Sequence, residues 1–220
     1  MREIVLDTET TGLDPLQGHR IIEIGCIELI NKVKTGNVFH VYINPERDVP
    51  LVAYEIHGIS TEFLTDKPKF EEVYEQFYNF IGDSVLVIHN AGFDMKFIRH
   101  HFDPHKVQIL NVVIDTLELA RKKFPGAKVN LDALCKKFKI DNSHRDKHGA
   151  LLDAELLADV YIKMEGNTQA ALEIANTTNQ IQYTAMEIKR VNFTQRNFNI
   201  KSEEKQLHQE FMKKIKNPIW

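Results

Sequence analysis

The chain has 220 residues, of which 43% are hydrophobic and 27% are charged. That balance suits a globular domain with a real core and room for an appendage, and it excludes a wholly disordered or fibrous chain. The formal net charge is −3, so there is no global basic field of the kind that holds duplex nucleic acid non-specifically.

The two cysteines, Cys26 and Cys135, sit inside apolar periodic segments. Neither a disulfide nor a cysteine-metal framework is expected, and a reducing compartment fits best. The N-terminus runs straight into a charged strand without a basic-apolar-small signal pattern. No apolar run approaches the length of about 18 residues that a membrane helix needs. The expected location is the cytoplasm, with no membrane partner.

In chain order, residues 2–8 read as a short buried strand and 20–30 as a second, rich in isoleucine. Residues 36–43 alternate Phe39, Val41 and Ile43 against Val38, His40 and Tyr42, which predicts a third strand. The short connection at Asn31-Lys32 predicts an antiparallel meander. The period then changes: Val73, Phe77 and Ile81 are spaced for one helix face, with Pro68 just before. Residues 84–89 predict a strand, 93–101 a helix, 112–114 a strand and 117–124 a helix. Asn130 is placed to cap a helix carrying Leu131, Leu134 and Phe138 on one face. Leu152, Leu156 and Val160 mark the last strong helix. The order βββαβαβααα predicts an α/β fold, a mixed sheet flanked by helices.

Three short clusters carry the chemistry. The first is Asp7 and Glu9, in Ile4-Val5-Leu6-Asp7-Thr8-Glu9-Thr10-Thr11-Gly12. Residues two apart on a strand share a face, so both carboxylates reach one point at a strand's C-terminal end. The second is Asp94, closing His89-Asn90-Ala91-Gly92-Phe93-Asp94, after a strand and at a helix start. Taken alone it reads as a cap or first-turn acid. The third is His148 and Asp153, in His148-Gly149-Ala150-Leu151-Leu152-Asp153. An aspartate among core leucines is costly unless it is paired or metal-bound. A histidine just before that helix, with an ordinary pKa of about 6.5, suits removal of a proton from water near neutral pH. Hydrolysing a phosphodiester demands charge stabilisation on both the attacking and the leaving oxygen. Two divalent cations about 3.5–4 Å apart, held by several carboxylates, provide it. Together the clusters predict a two-metal nuclease.

Here the chain resembles the DEDDh branch of 3′–5′ exonucleases, within the ribonuclease-H-like fold. Asp-x-Glu matches Asp7 and Glu9, Asn with Phe-Asp matches Asn90, Phe93 and Asp94, and His-x-x-x-x-Asp matches His148 and Asp153. The likeness extends to His57-Gly58-Ile59, Asp115-Thr116-Leu117 and Leu131-Asp132-Ala133-Leu134. It covers residues 2–164 and is similar in pattern to the proofreading exonucleases that serve bacterial DNA polymerase III. The resemblance implies that Asp7, Glu9, Asp94 and Asp153 hold two Mg²⁺ or Mn²⁺ ions and that His148 is the general base. It also implies that His57, Asn90 and Thr10, with Asp7, Glu9 and Asp153, contact the terminal nucleotide at a single-stranded or frayed DNA 3′ end. At Val52 some relatives of this branch carry an acid, and this chain does not. An RNA-trimming exonuclease of the same branch and a catalytically silent polymerase scaffold are the alternatives. The first would call for a basic patch and stacking aromatics, and the second conflicts with an intact set of catalytic positions.

Character shifts near residue 165. Residues 166–202 are rich in Asn, Gln and Thr and predict a flexible linker. Residues 203–220 regain a helical pattern through Leu207, Phe211 and Ile215 and finish on Trp220. They predict a docking segment behind an exonuclease domain of residues 1–165, and the resemblance implies the polymerase alpha subunit as the partner. Gln169-Ala170-Ala171-Leu172-Glu173-Ile174 resembles a degenerate sliding-clamp peptide with Ile174 where an aromatic is usual, so only weak clamp binding is expected.

Overall fold

A computed structural model describes residues 1–143, 145, 147–179, 202 and 205–208, with backbone only for 167–179. Its centre is a five-stranded sheet in the order β3-β2-β1-β4-β5. Strands β1 (Arg2–Thr10), β2 (Ile21–Ile30) and β3 (Val33–Tyr42) form the antiparallel meander that the short Asn31-Lys32 connection predicts. Strands β4 (Val85–Ile88) and β5 (Val113–Asp115) continue the sheet parallel to β1. Helices flank this mixed sheet, as expected.

The parity of β1 decides what each face touches. Ile4 and Leu6 point into a core with Phe70, Val73, Phe77 and Ile81 of α3 (Phe70–Ile81) and Phe97, Ile98 and Phe102 of α4 (Ala91–Phe102). Val5 points the other way, onto α6 (Leu131–Phe138) and α7 (Ala150–Asn179), among Leu134, Ala154, Leu157 and Tyr161. A strand buried on both faces reads as a continuous apolar run, which is why Ile4-Val5-Leu6 does not alternate. Helix α5 (Thr116–Lys123) contributes Ala120 to the same second core. Asn130 caps α6 as its position predicts, Oδ1 accepting from Ala133 N at 3.1 Å.

Two short helices were not predicted: α1 (Leu51–His57) and α2 (Thr61–Leu64). The reason is an inverted pattern. Leu51, Val52 and Ile56 of α1 are exposed, whereas Ala53 and His57 are buried, so no apolar face announces the helix. Helix α7 carries its backbone past the boundary placed at 165, to Asn179. Residues 205–208 are helical with Leu207 exposed, while Phe211, Ile215 and Trp220 lie outside the described residues.

The first turn of α7 lies directly on β2. A Cβ on Gly25 would fall 2.3 Å from Leu151 N, so only glycine admits this backbone-to-backbone approach. Gly25→Ala is expected to cost about 1–3 kcal/mol, as overpacking does. That is a fall in Tm of roughly 2–4 °C per kcal/mol for a domain of this size. A thermal melt checks it, and an unchanged Tm would show that α7 is not pinned there.

Candidate active site

The last ladder pair between β1 and β4 is Val5–Val87, while β1 runs on to Thr10. Asp7 and Glu9 therefore lie on the stretch of β1 that overhangs the C-terminal end of β4. They share the parity of Val5 and face α7. On that side α7 presents Asp153 from its first turn, with Asp153 N donating to Gly149 O at 2.8 Å. Asp94 comes from the opposite face. It sits in the first turn of α4, whose start turns sharply through Asn90 at φ 70°. Its Oδ1 accepts from both Thr8 N at 3.0 Å and Thr8 Oγ1 at 2.7 Å. The gap left by β4 is thus closed by an aspartate bonded to the overhanging strand. The four predicted carboxylates converge.

His148 precedes α7 and its backbone N–H donates to Ile56 O at 3.1 Å, which ties the loop to α1. Its Nδ1 lies 3.1 Å from Asp153 Oδ2, and its side chain is 47% exposed. His57, at the end of α1, is buried. Its Nδ1 accepts from Ile59 N at 3.0 Å, which places the ring proton on Nε2, and Nε2 has no hydrogen-bond partner among the described residues. Burial, reinforced by His148 and Lys147, lowers its pKa to about 4, so the ring is neutral. Thr10 Oγ1 donates to Gly12 O at 2.7 Å and shapes the turn that follows β1. Asn90 is exposed.

The sequence reading gave no role to two groups, Asp115, quoted only as part of the family pattern, and Arg145. Asp115 ends β5 and caps α5 by accepting from Leu117 N at 2.9 Å. It also accepts from Asn90 N at 3.2 Å and Ala91 N at 3.0 Å, which fixes the start of α4 and so the height of Asp94. Arg145 is the second. Nε and one terminal nitrogen grip the Asp153 oxygens at 2.5 and 2.6 Å, and the other terminal nitrogen reaches Asp132 Oδ1 at 2.7 Å. The nitrogen that reaches Asp153 Oδ2 also lies 2.7 Å from His148 Nδ1. A guanidinium only donates, so Nδ1 either accepts from Arg145 or, carrying the ring proton, donates to Asp153 Oδ2. The signal was present in the requirement that a buried Asp153 find a cation.

The exonuclease family model (RNase_T) matches residues 4–161. The chain belongs to the exonuclease family. DNA polymerase III subunit epsilon of Rickettsia prowazekii is 53% identical over 98% of this chain and 97% of that protein. The solved structure of Exonuclease X in complex with 5′ overhanging duplex DNA is 28% identical, with a TM-score of 0.62 over 76% of this chain and 93% of that one. The nuclease domain of 3′hExo, a DEDDh family member bound to rAMP, shares the fold at 17% identity and a TM-score of 0.64, covering 76% and 92% of the two chains. This exonuclease is thus a metal-dependent 3′–5′ enzyme of the DEDDh type.

The electrostatics of the exonuclease site call for cations. Burial, then Asp94, Glu9, Asp153 and Glu23 in turn, push the Asp7 carboxyl well above its usual range. Burial followed by Asp153, Glu23 and Asp94 takes Glu9 to about 8. Burial also takes Asp94 to about 7 against the two bonds from Thr8. Asp153 is the exception: burial works to raise it, but hydrogen bonds from His148 and Arg145 hold it below its ordinary value. Ligand atoms of Glu9, His148 and Asp153 lie within 4.8 Å of one another. Carboxylate oxygens crowded against mutual repulsion fit hard divalent metal ions. Arg145 and such an ion both draw on Asp153.

The sign of the pH effect follows. Glu9 binds its proton more tightly folded, about 8, than its ordinary 4.5, so the metal-free fold loses stability as pH rises through that window. A divalent ion replaces those protons. Its binding should release protons at pH 7 and tighten as pH rises towards 8. Calorimetry in two buffers of different ionisation enthalpy measures this release, and Glu9→Gln should reduce it. Binding without proton release at pH 7 would contradict the assignment.

Proposed function

We propose that this exonuclease is the proofreading subunit of DNA polymerase III, removing the 3′-terminal nucleotide from a frayed or single-stranded DNA end. The observation that carries the reading is the convergence of Asp7, Glu9, Asp94, Asp153 and His148 on the overhanging end of β1. It stands in a chain 53% identical, over nearly its whole length, to a protein named as the epsilon subunit. Two Mg²⁺ or Mn²⁺ ions, held by the four carboxylates, would supply charge stabilisation at the attacking and leaving oxygens. The residues do the rest. His148 takes the proton of the attacking water through Nε2 when its Nδ1 donates to Asp153 in place of accepting from Arg145. The unpartnered Nε2–H of buried His57 is a donor available to the terminal nucleotide, and the exposed Asn90 and the Thr10 turn border the same place. Leu13 after β1 and Ile56 on α1 are exposed apolar side chains, of a kind suited to the face of an unstacked base. An unpaired end reaches such a site without the full unstacking cost, which is how a mismatch is preferred.

The domain division follows from the same reading: 1–165 is the exonuclease, 166–202 a tether and 203–220 the segment that docks on the alpha subunit. Gln169–Ile174 is at most a weak clamp contact. Among the described residues no helix is long and apolar enough to cross a membrane, and the enzyme works in the cytoplasm beside the polymerase.

Asp7→Ala or Asp153→Ala should abolish cleavage of a 3′-labelled oligonucleotide in Mg²⁺ or Mn²⁺. His148→Ala should slow the maximal rate by roughly 10²–10⁴-fold with little change in substrate affinity. DNA and RNA strands assayed side by side decide the substrate, and equal or faster RNA cleavage would overturn the DNA assignment. In the full chain, Phe211→Ala with Trp220→Ala should stop co-purification with the alpha subunit while free exonuclease activity is kept. Tight binding by that variant would move the docking surface onto the exonuclease domain.

A further inference from the structure

Glu23 stands directly opposite Glu9 across the β1–β2 ladder, and Gly25 opposite Asp7. It is 2% exposed. A carboxylate in that position faces its like, an unfavourable cross-strand pair, and it adds to the repulsion that raises both Asp7 and Glu9. Neither metal binding nor proton transfer, as derived above, makes use of it. Both of its oxygens nonetheless accept hydrogen bonds, and the Tyr42 hydroxyl on β3 bonds the same carboxylate. Oε1 accepts from His40 Nε2 of β3 at 2.7 Å, and Oε2 accepts from Ala150 N, the first amide of α7, at 3.0 Å. His40 lies opposite Gly25 on the next strand, on the same face. A negative charge on the free amide of a thirty-residue helix is favourable both as a hydrogen bond and against the helix dipole.

The geometry points to Glu23 as a positioning residue for the exonuclease reaction, and this role rests on the function proposed above. Held by His40, its carboxylate anchors the first turn of α7 to β2 and so sets Asp153 and His148 opposite Asp7 and Glu9. The close approach at Gly25 fixes how near α7 comes to the sheet. Core packing holds the body of α7, and the Glu23–Ala150 bond adds a directional restraint at its first turn. Asp153 lies one turn beyond the anchored amide and His148 just before it, so a slip there moves two of the five catalytic groups together. Outer-shell groups that orient ligands carry effects of about 10–100-fold on metal affinity or rate.

The test uses the full chain. Mn²⁺ affinity is measured by calorimetry without substrate, and kcat and KM are measured on a single-stranded oligonucleotide, after a melt confirms folding. Glu23→Ala is expected to weaken Mn²⁺ binding and lower kcat, each by about 10–100-fold, with KM within about twofold. Glu23→Gln keeps an acceptor for Ala150 N–H and is expected to restore most of both. A purely structural role would move the melt without splitting kcat from KM. Wild-type Mn²⁺ affinity in folded Glu23→Ala, or a folded Glu23→Gln as impaired as the alanine variant, overturns the proposal. If Glu23→Ala does not fold, His40→Ala decides. Releasing the tether should weaken Mn²⁺ binding several-fold, and no change overturns the role. A wild-type chain that binds no Mn²⁺ sinks the metal reading itself, whatever the variants do.

Discussion

Four carboxylates held within one pocket repel one another, and most of what surrounds the site is a consequence of keeping them there. Left alone, the charged forms would drive the chain apart or take up protons, as the raised values of Asp7, Glu9 and Asp94 show. The fold resists by giving each acid a rigid origin. Asp7 and Glu9 are on a strand paired with β2 along its length and with β4 as far as Val5. Asp94 is bonded to the backbone of that same strand. Asp153 rides the first turn of a helix packed against the sheet. Repulsion held in place by packing is what makes such a site bind divalent cations, because their arrival relieves energy already stored.

The overhang of β1 is the geometric device. A parallel neighbour that stops early leaves two turns of pleat without a ladder partner on one side. The carboxylates of residues 7 and 9 open there, beyond the carboxyl ends of the strands, where open sheets place their ligands. The parity of the strand assigns labour. Odd positions look towards α7 and even ones towards α4, so Thr8 reaches Asp94 while its two neighbours reach Asp153. A slip of one residue would exchange the two faces and destroy the site.

Arg145 and Glu23 show that the charge balance extends beyond the four converging carboxylates. Arg145 neutralises Asp153 and joins it to Asp132 on α6 and to His148, so the catalytic loop, α6 and α7 meet at one guanidinium. Its planar fork suits a carboxylate held at both oxygens. Glu23 acts in the opposite sense, adding a negative charge but spending it on a helix amide.

Local chemistry determined much of this protein in advance. Spacing alone placed Asp7 and Glu9 on one strand face, the meander followed from the short Asn31-Lys32 connection, and Val73, Phe77 and Ile81 announced α3 because a helix's period of 3.6 residues is written directly in its apolar positions. The five positions that converge at the site were legible because three clusters each sit at a strand end or helix start. What the sequence could not supply was anything that depends on distance through space. Helix α1 was hidden because its apolar side chains face outward. The roles of Asp115, Arg145 and Glu23 were hidden because each joins separate elements: Asp115 the start of α4, Arg145 α6 to α7, and Glu23 β3 to the first amide of α7. Hydrogen bonds between distant segments leave no pattern in either segment alone. The residues of the site are therefore a property of the sequence, and their mutual placement is a property of the packed sheet and helices.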